Sequence, residues 1–92
     1  MKMQGRLYTP EEVLFDGEVE FVALRTAEGD AMFLPGHIPL VGAVVEEASV
    51  RFSAAGGAGE MEAMLTSGGF VEVDGEVVTV SAPVAALSST KP

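Results

Sequence analysis

The chain lacks cysteine and tryptophan altogether, and it contains few basic residues and a single histidine. Without cysteine it can form neither a disulfide scaffold nor a thiolate zinc site, and it has no cysteine nucleophile. Its 5 lysines and arginines against 14 acids give a formal net charge of -9. This balance argues against binding to nucleic acid or anionic lipid, because both require clustered cations. A basic or polar protein partner suits the charge better.

Long apolar runs are also absent. The most apolar region, residues 33–45, is interrupted by Pro35, His37 and Pro39, and it is shorter than the roughly 18 residues that a membrane-spanning helix needs. Residues 1–6 also lack the apolar run of a signal peptide. We therefore expect no insertion into a membrane and a cytoplasmic location.

The residues that are present predict one all-β domain. Hydrophobic residues make up 48% of the 92 residues, which is enough for a packed core. Apolar and polar residues alternate with a period of two, and glycines recur in a rhythm typical of small β-sandwiches and barrels. No internal repeat or linker divides the chain. We predict a β-sandwich domain over residues 1–82 and a short flexible tail over residues 83–92, where the alternation is lost.

The clearest element is a β-hairpin over residues 68–80. Asp74-Gly75 suits a two-residue type I′ turn, which places Val73 opposite Glu76. The buried face then carries Val71, Val73, Val78 and Val80. The opposite face is mixed and carries Phe70, Glu72, Val77 and Thr79.

Three further strands and one turn are predicted from the same pattern. Residues 48–53 and 60–65 predict a second hairpin, joined by the glycine-rich turn 55–59. Its inward side chains are Val50, Phe52, Met61, Ala63 and Leu65. Residues 18–24 predict a strand that passes into the interior, and residues 9–12 predict a turn between strands.

Candidate catalytic and ligand-binding patterns are weak. Ser67 lacks the upstream glycine of a nucleophile elbow, and residues 56–60 lack the lysine of a P-loop. Glu28-Gly29-Asp30 supplies too few oxygens for Ca²⁺ and is expected to be a solvated loop or an acidic contact loop. We expect no catalytic residue, no metal and no cofactor.

One loop differs from the rest of the sequence: Leu34-Pro35-Gly36-His37-Ile38-Pro39-Leu40-Val41. Its two prolines restrict φ and remove hydrogen-bond donors, and Gly36 allows a backbone geometry closed to other residues. We expect a rigid, exposed loop that presents His37 and Ile38. A lone histidine is often structural, but rigid loops with an exposed apolar residue commonly form contact surfaces.

This loop, together with Ser67-Gly68-Gly69-Phe70-Val71-Glu72-Val73 further along the chain, resembles the N-terminal β-sandwich domain of the epsilon subunit of F-type ATP synthase. Thr9-Pro10-Glu11, residues 14–19 and Glu28-Gly29-Asp30 match the family in the same order. The resemblance covers residues 3–82. It does not include the family's C-terminal helical hairpin, so the ATP-binding and self-inhibitory roles of that hairpin are not carried over.

The resemblance implies a flattened sandwich or barrel of ten strands and a non-catalytic role. In the family this domain lies at the foot of the central stalk, binds the gamma subunit and the polar loops of the membrane c-ring, and helps to couple proton flow to ATP synthesis. The resemblance implies that Glu28, Asp30 and His37 face the c-ring and that Thr9, His37 and Ile38 contact the gamma subunit. It also implies a peripheral location on the cytoplasmic face of the inner or plasma membrane, as part of F1. Because of its acidic charge we expect the isolated chain to be a monomer.

Three alternatives remain open at the level of sequence. A lipoyl- or biotinyl-type carrier domain is also small, acidic and all-β, but it needs a lysine at a hairpin tip, whereas the lysines here are Lys2 and Lys91. A small enzyme built on His37 would lack an evident nucleophile or metal set. A β-sandwich adaptor unrelated to ATP synthase is the third.

Overall fold

The computed structural model describes residues 3–36, 39–54 and 59–91, with side chains described as far as Ala86. The predicted all-β class is confirmed, because these residues form strands and turns. In this described part of the chain no helix is long and apolar enough to cross a membrane. The nine strands found in it are β1 (Met3–Tyr8), β2 (Val13–Thr26), β3 (Gly29–Phe33), β4 (Leu40–Val44), β5 (Ala48–Ala54), β6 (Glu60–Leu65), β7 (Gly69–Val73), β8 (Val77–Ser81) and β9 (Ala86–Lys91).

The long strand β2 joins two sheets. Its first part pairs with β1, and its second part pairs with β3 and β5. The first sheet therefore runs β2-β1-β8-β7-β4, and the second runs β3-β2-β5-β6-β9. The pairing register of β2 with β5 shifts between Val19 and Phe21, an irregularity of the β-bulge kind that bends the strand where it passes from one sheet to the other. Because β2 is one strand shared by both sheets, the described residues contain nine strands instead of the expected ten.

Alternate side chains of the two sheets meet in one apolar core. Phe15 of β2 stacks on Phe52 of β5, with ring centroids 4.8 Å apart. The largest fully buried side chains are Phe52, Met3, Leu7, Leu65, Val19, Val22, Val50, Val71, Val73, Val78 and Val80. Burial of each such side chain favours folding by about 1.5–3 kcal/mol, so this alternation is the main source of stability.

The β7–β8 hairpin forms as predicted, but its register differs by two residues. Val73 lies opposite Val78 and not opposite Glu76. The carboxylate of Asp74 accepts hydrogen bonds from the N–H groups of Glu76 (3.3 Å) and Val77 (3.0 Å). The loop residues are therefore Gly75 and Glu76, and the positive φ of 91° falls on Gly75. A shift of two keeps every side chain on its predicted face, so the four valines are buried as expected.

The other predicted elements are also found. The second hairpin pairs β5 with β6 from Ala48–Leu65 to Ser53–Glu60, and its five predicted inward side chains are buried. Residues 55–58 of its turn lie outside the described residues. Residues 9–12 form the predicted turn between β1 and β2, and residues 18–24 lie within β2.

The last segment differs from the prediction. Where a tail was expected over residues 83–92, β9 spans Ala86–Lys91 and pairs antiparallel with β6. The physical reason is that β6 offers an edge of backbone donors and acceptors, and pairing with such an edge does not require alternating side chains. The paired region therefore extends beyond residue 82. The predicted flexibility of the segment stays a prediction.

Candidate functional site

The β2–β3 hairpin carries acidic residues near its tip. Thr26 lies opposite Gly29, and Ala27 and Glu28 form the turn between them. The Thr26 hydroxyl accepts a hydrogen bond from the N–H of Glu28 (3.1 Å) and donates one to the C=O of Gly29 (3.0 Å). Gly29 has a φ of 124°, a backbone conformation that glycine adopts without strain. The threonine thus holds the turn, and Glu28 remains exposed.

Asp30 on the same hairpin already has an ionic partner. It lies opposite Arg25, whose Nε donates to Asp30 Oδ1 over 2.8 Å. The two side chains are 63% and 78% exposed, so the pair stabilises the fold by at most about 1 kcal/mol. Glu28 forms no ion pair within the described residues. Glu28 is therefore the acid of this hairpin that is available to an external cation.

Grooves flank the hairpin on both sides. One, of about 710 Å³, is bordered by β2, β3, β5 and the Glu46-Glu47 turn. The other, of about 420 Å³, lies between β3 and β4. Asp30 and Met32 border both grooves, so the hairpin forms a ridge that a partner can approach from either side.

Thr9 closes the turn between β1 and β2. Its N–H donates to the C=O of Glu12 (2.9 Å), and its hydroxyl accepts from the N–H groups of Glu11 and Glu12 (3.3 Å each). This arrangement is a local side-chain-to-backbone turn. It engages the Thr9 hydroxyl within the chain and leaves the two glutamates exposed.

The Pro-Gly loop begins beside the β7–β8 turn. Gly36 has a φ of 85°, and its N–H donates to the C=O of Gly75 over 2.9 Å. On the far side of the loop, Leu40 pairs with Val73 next to the same turn. His37 and Ile38, the predicted contact residues of this loop, lie outside the described residues.

The predicted site residues therefore divide between the two ends of the first sheet. The β2–β3 hairpin meets β4 at Val44, and the Thr9 turn lies at that same end of the sheet. The described residues that flank His37 and Ile38 lie at the opposite end, beside Gly75. Glu28 and Asp30 therefore lie together on one hairpin, and the described residues on either side of His37 lie at the other end of the first sheet.

A surface that the sequence analysis missed crosses the outer face of the first sheet. Cross-strand pairing aligns one outward residue from each of five strands, and we call this row the outer stripe: Val13, Tyr8, Ser81, Phe70 and Ala43. Val13 is 64% exposed and Phe70 63% exposed. The one feature of the sequence that indicates this surface is Phe70, a large apolar residue on the mixed, outward face of the β7–β8 hairpin. The register that aligns Phe70 with Val13 and Tyr8 is visible only in the structure.

Nothing in the described residues suggests a metal centre or a nucleophile. No group of three or more His, Cys, Asp or Glu side chains in the described part of the chain could hold a metal ion. Ser67 lies in the turn between β6 and β7, where the N–H of Gly68 donates to the C=O of Leu65 (3.1 Å). The arrangements found in the structure are suited to contact with another protein.

Comparison with known proteins places these features in a family. The family model for the β-sandwich domain of the ATP synthase Delta/Epsilon chain matches residues 2–88. The ATP synthase epsilon chain of Brevibacillus brevis is 38% identical over 86 residues, which cover 94% of this chain and 63% of that protein. The ATP synthase epsilon chain of Frankia casuarinae is 33% identical over 88 residues, which cover 96% of this chain and 100% of that protein.

Solved structures share the fold. A chain of the Euglena gracilis mitochondrial ATP synthase structure of OSCP, F1 and c-ring superposes with a TM-score of 0.82 at 24% identity, over 94% of this chain and 53% of that one. A chain of the Tetrahymena thermophila central stalk and c-ring structure superposes with a TM-score of 0.72 at 16% identity, over 94% of this chain and 66% of that one. This chain spans 58–63% of the length of the first curated relatives that it matches.

Proposed function

The chain belongs to the ATP synthase Delta/Epsilon β-sandwich family, and from this membership we propose that it acts as a central-stalk subunit of F1Fo ATP synthase. In this role it binds the gamma subunit and the polar loops of the c-ring, and it helps to couple proton translocation to ATP synthesis. The observation that carries the proposal is the match to epsilon chains over almost the whole chain.

The subunit contributes no catalytic residue and no cofactor of its own in this proposal. It works by contact, as a peripheral part of F1 on the cytoplasmic face of the inner or plasma membrane. Support comes from the acidic charge of -9, which suits basic partner loops. The hydrogen bonds that hold the hairpin and the Thr9 turn in the free chain reduce the ordering cost of binding.

Two partner surfaces are assigned to the predicted residues. Glu28, Asp30 and His37 face the c-ring, and Thr9, His37 and Ile38 contact the gamma subunit, so that each of the two surfaces extends from one end of the first sheet to the other. The carboxylate of Glu28, which is exposed and has no ion pair among the described residues, supports the first assignment. Thr9 follows Tyr8, an exposed large apolar side chain of the kind found in protein contact surfaces, which supports the second.

The test is calorimetric binding to purified gamma subunit and, separately, to purified c-ring in detergent. We expect the wild type to bind both, Thr9→Ala and His37→Ala to weaken gamma binding, and Glu28→Gln to weaken c-ring binding. Glu20→Gln, on an exposed carboxylate of β2 that belongs to neither set of predicted contact residues, is the matched control. Absence of gamma binding by a folded wild-type chain would refute the proposed function.

A further inference from the structure

The strand β3 has one edge that no other strand covers in the part of the chain that the structure describes. There, β3 pairs with β2 and with no further strand. An uncovered edge presents a row of backbone N–H and C=O groups with which a strand of another molecule can pair. The hydrogen bonds of β2 determine which residues of β3 carry these groups.

Hydrogen bonds on the far side of β2 show which of its residues bond to β3. The C=O of Arg25 accepts from the N–H of Val45 over 3.3 Å, so the polar backbone groups of Arg25 face away from β3. The N–H and C=O groups of successive strand residues face opposite sides. Those of Leu24 and Thr26 therefore face β3.

The same alternation identifies the free groups of β3. Ala31 lies opposite Leu24 in a hydrogen-bonded pair, whereas Asp30 lies opposite Arg25 in a pair without backbone hydrogen bonds. Met32, two residues after Asp30, has the same orientation as Asp30. The N–H and C=O groups of Asp30 and Met32 therefore point away from β2. We call these two donors and two acceptors the free edge.

A groove adjoins the free edge. It lies between β3 and β4, has a volume of about 420 Å³ and is bordered by Asp30, Met32 and the apolar residues Phe33 and Leu40. Side chains of a strand alternate between its two faces. A strand added to the free edge therefore directs every second side chain towards the groove, and it places the others beside the exposed side chains of Asp30 and Met32.

Charge determines which kind of strand fits this edge. Directly opposite residues of an antiparallel pair share one face, with Cβ atoms about 4.5–5.5 Å apart, so the residue across from Asp30 meets its carboxylate. A basic residue there would continue the Arg25–Asp30 ion pair of 2.8 Å into a row of alternating charge. Glu28, exposed in the adjoining turn, favours a second basic residue. A second copy of this chain, with its charge of -9, is disfavoured.

We propose that the free edge of β3 binds an extended segment of a partner protein by antiparallel strand addition, with a basic residue opposite Asp30 and an apolar residue opposite Met32. The backbone groups of Asp30 and Met32 make four hydrogen bonds to the segment. The side chain between these two partner residues enters the groove. This binding mode does not rest on the central-stalk role, because it depends on the edge and its charges alone.

The first experiment establishes that the edge is free. Hydrogen exchange of the backbone amides is measured by NMR on the full chain without any partner, and each rate is corrected for its intrinsic value. We expect the Asp30 and Met32 amides to exchange at least about tenfold faster than the Ala31 amide, which bonds to β2. Equal protection of the three amides would show that the edge is already covered and would overturn the proposal.

The second experiment adds a strand. The isotope-labelled full chain is titrated with the synthetic peptide acetyl-Lys-Thr-Ile-Val-Lys-Thr-Lys-amide, in which isoleucine and the second lysine fall opposite Met32 and Asp30 in antiparallel register. One control peptide carries N-methyl groups on those two residues, which removes its two donors to the edge. A second control peptide has glutamate in place of the second lysine.

We expect the first peptide to shift the amide resonances of Asp30 and Met32 and to slow their exchange. The N-methylated peptide should bind at least about tenfold more weakly, because two hydrogen bonds are lost. The glutamate peptide should bind at least about threefold more weakly, because like charges then lie opposite each other. Equal binding of the N-methylated peptide, shifts confined to residues away from β3, or no shift up to about 5 mM peptide would overturn the proposal.

A charge exchange separates the edge from the general acidity of the chain. Asp30→Lys should reverse the preference, so that the glutamate peptide binds more tightly than the lysine peptide. Glu20→Lys, at an exposed position of β2 outside the part paired with β3, changes the net charge equally and should keep the wild-type preference. An unchanged preference in folded Asp30→Lys would contradict strand addition at this edge. Neither gamma subunit nor c-ring is present, so each result leaves the proposed function standing.

Discussion

At the scale of single residues, two adjacent glycines are required by the close approach of neighbouring backbone. A Cβ on Gly69 would collide with the carbonyl oxygen of Ser81, and a Cβ on Gly68 would collide with that of Val44. Gly68 also has a φ of 73°. The Ser-Gly-Gly-Phe segment, which carries part of the family resemblance, thus has a packing explanation. The sequence alone shows the motif but not which backbone atoms approach it.

We predict that Gly69→Ala destabilises the fold by about 3 kcal/mol, because the added methyl group forces two strands apart. The measurement is urea unfolding followed by circular dichroism. Gly42→Ala in β4 is the matched control, since its Cβ would meet the nearest atom at 3.5 Å, an ordinary contact. Its stability should stay within about 0.5 kcal/mol of the wild type. Similar unfolding midpoints for the two variants would contradict the close approach.

Thr26 gives a second prediction at this scale. Its hydroxyl makes two hydrogen bonds that hold the Glu28 turn, so Thr26→Val should destabilise the domain by about 1 kcal/mol and speed hydrogen exchange of the Glu28 amide. Thr79→Val, at a half-buried position of β8, is the control and should leave that amide unchanged. Unchanged exchange at Glu28 in Thr26→Val would show that the turn does not depend on the hydroxyl.

At the scale of elements, β9 covers the edge of β6, so its removal has a defined cost. We predict that ending the chain after Ala82 lowers stability by about 1–2 kcal/mol and exposes β6 amides to hydrogen exchange, because the cross-strand hydrogen bonds to residues 86–91 are lost. Removal of Pro92 alone is the control. A shortened chain with wild-type stability and exchange would instead support the flexible tail that the sequence predicts.

Sequence analysis predicts well the elements in which buried apolar side chains alternate with exposed polar ones. Val71 and Val80 alternate with polar neighbours, so hairpin, faces and core follow from the pattern. The register of the β7–β8 hairpin is harder to predict from the sequence, because Asp74 could either occupy the turn or accept hydrogen bonds from it through its carboxylate. Pairing of β9 and alignment of the outer stripe depend on which strands become neighbours. The strands that pair here are far apart in the chain, as β1 and β8 are, so no local pattern of the sequence indicates which of them become neighbours.

At the scale of the whole molecule, charge opposes self-association. All three arginines are paired within the chain, as Arg6–Asp16 (3.5 Å), Arg25–Asp30 (2.8 Å) and Arg51–Glu60 (3.6 Å). A second copy therefore meets an excess of carboxylates, and a net charge of -9 repels it even though the outer stripe is largely apolar. We predict a monomer by sedimentation equilibrium at micromolar concentration in 0.15 M NaCl. A partner surface with basic residues would meet the same charge as an attraction, so binding to it should weaken as salt rises to 1 M and the screening length falls to about 3 Å. A stable dimer at 0.15 M would contradict the prediction, and a dimer lost in Phe70→Ser would identify the stripe as its interface.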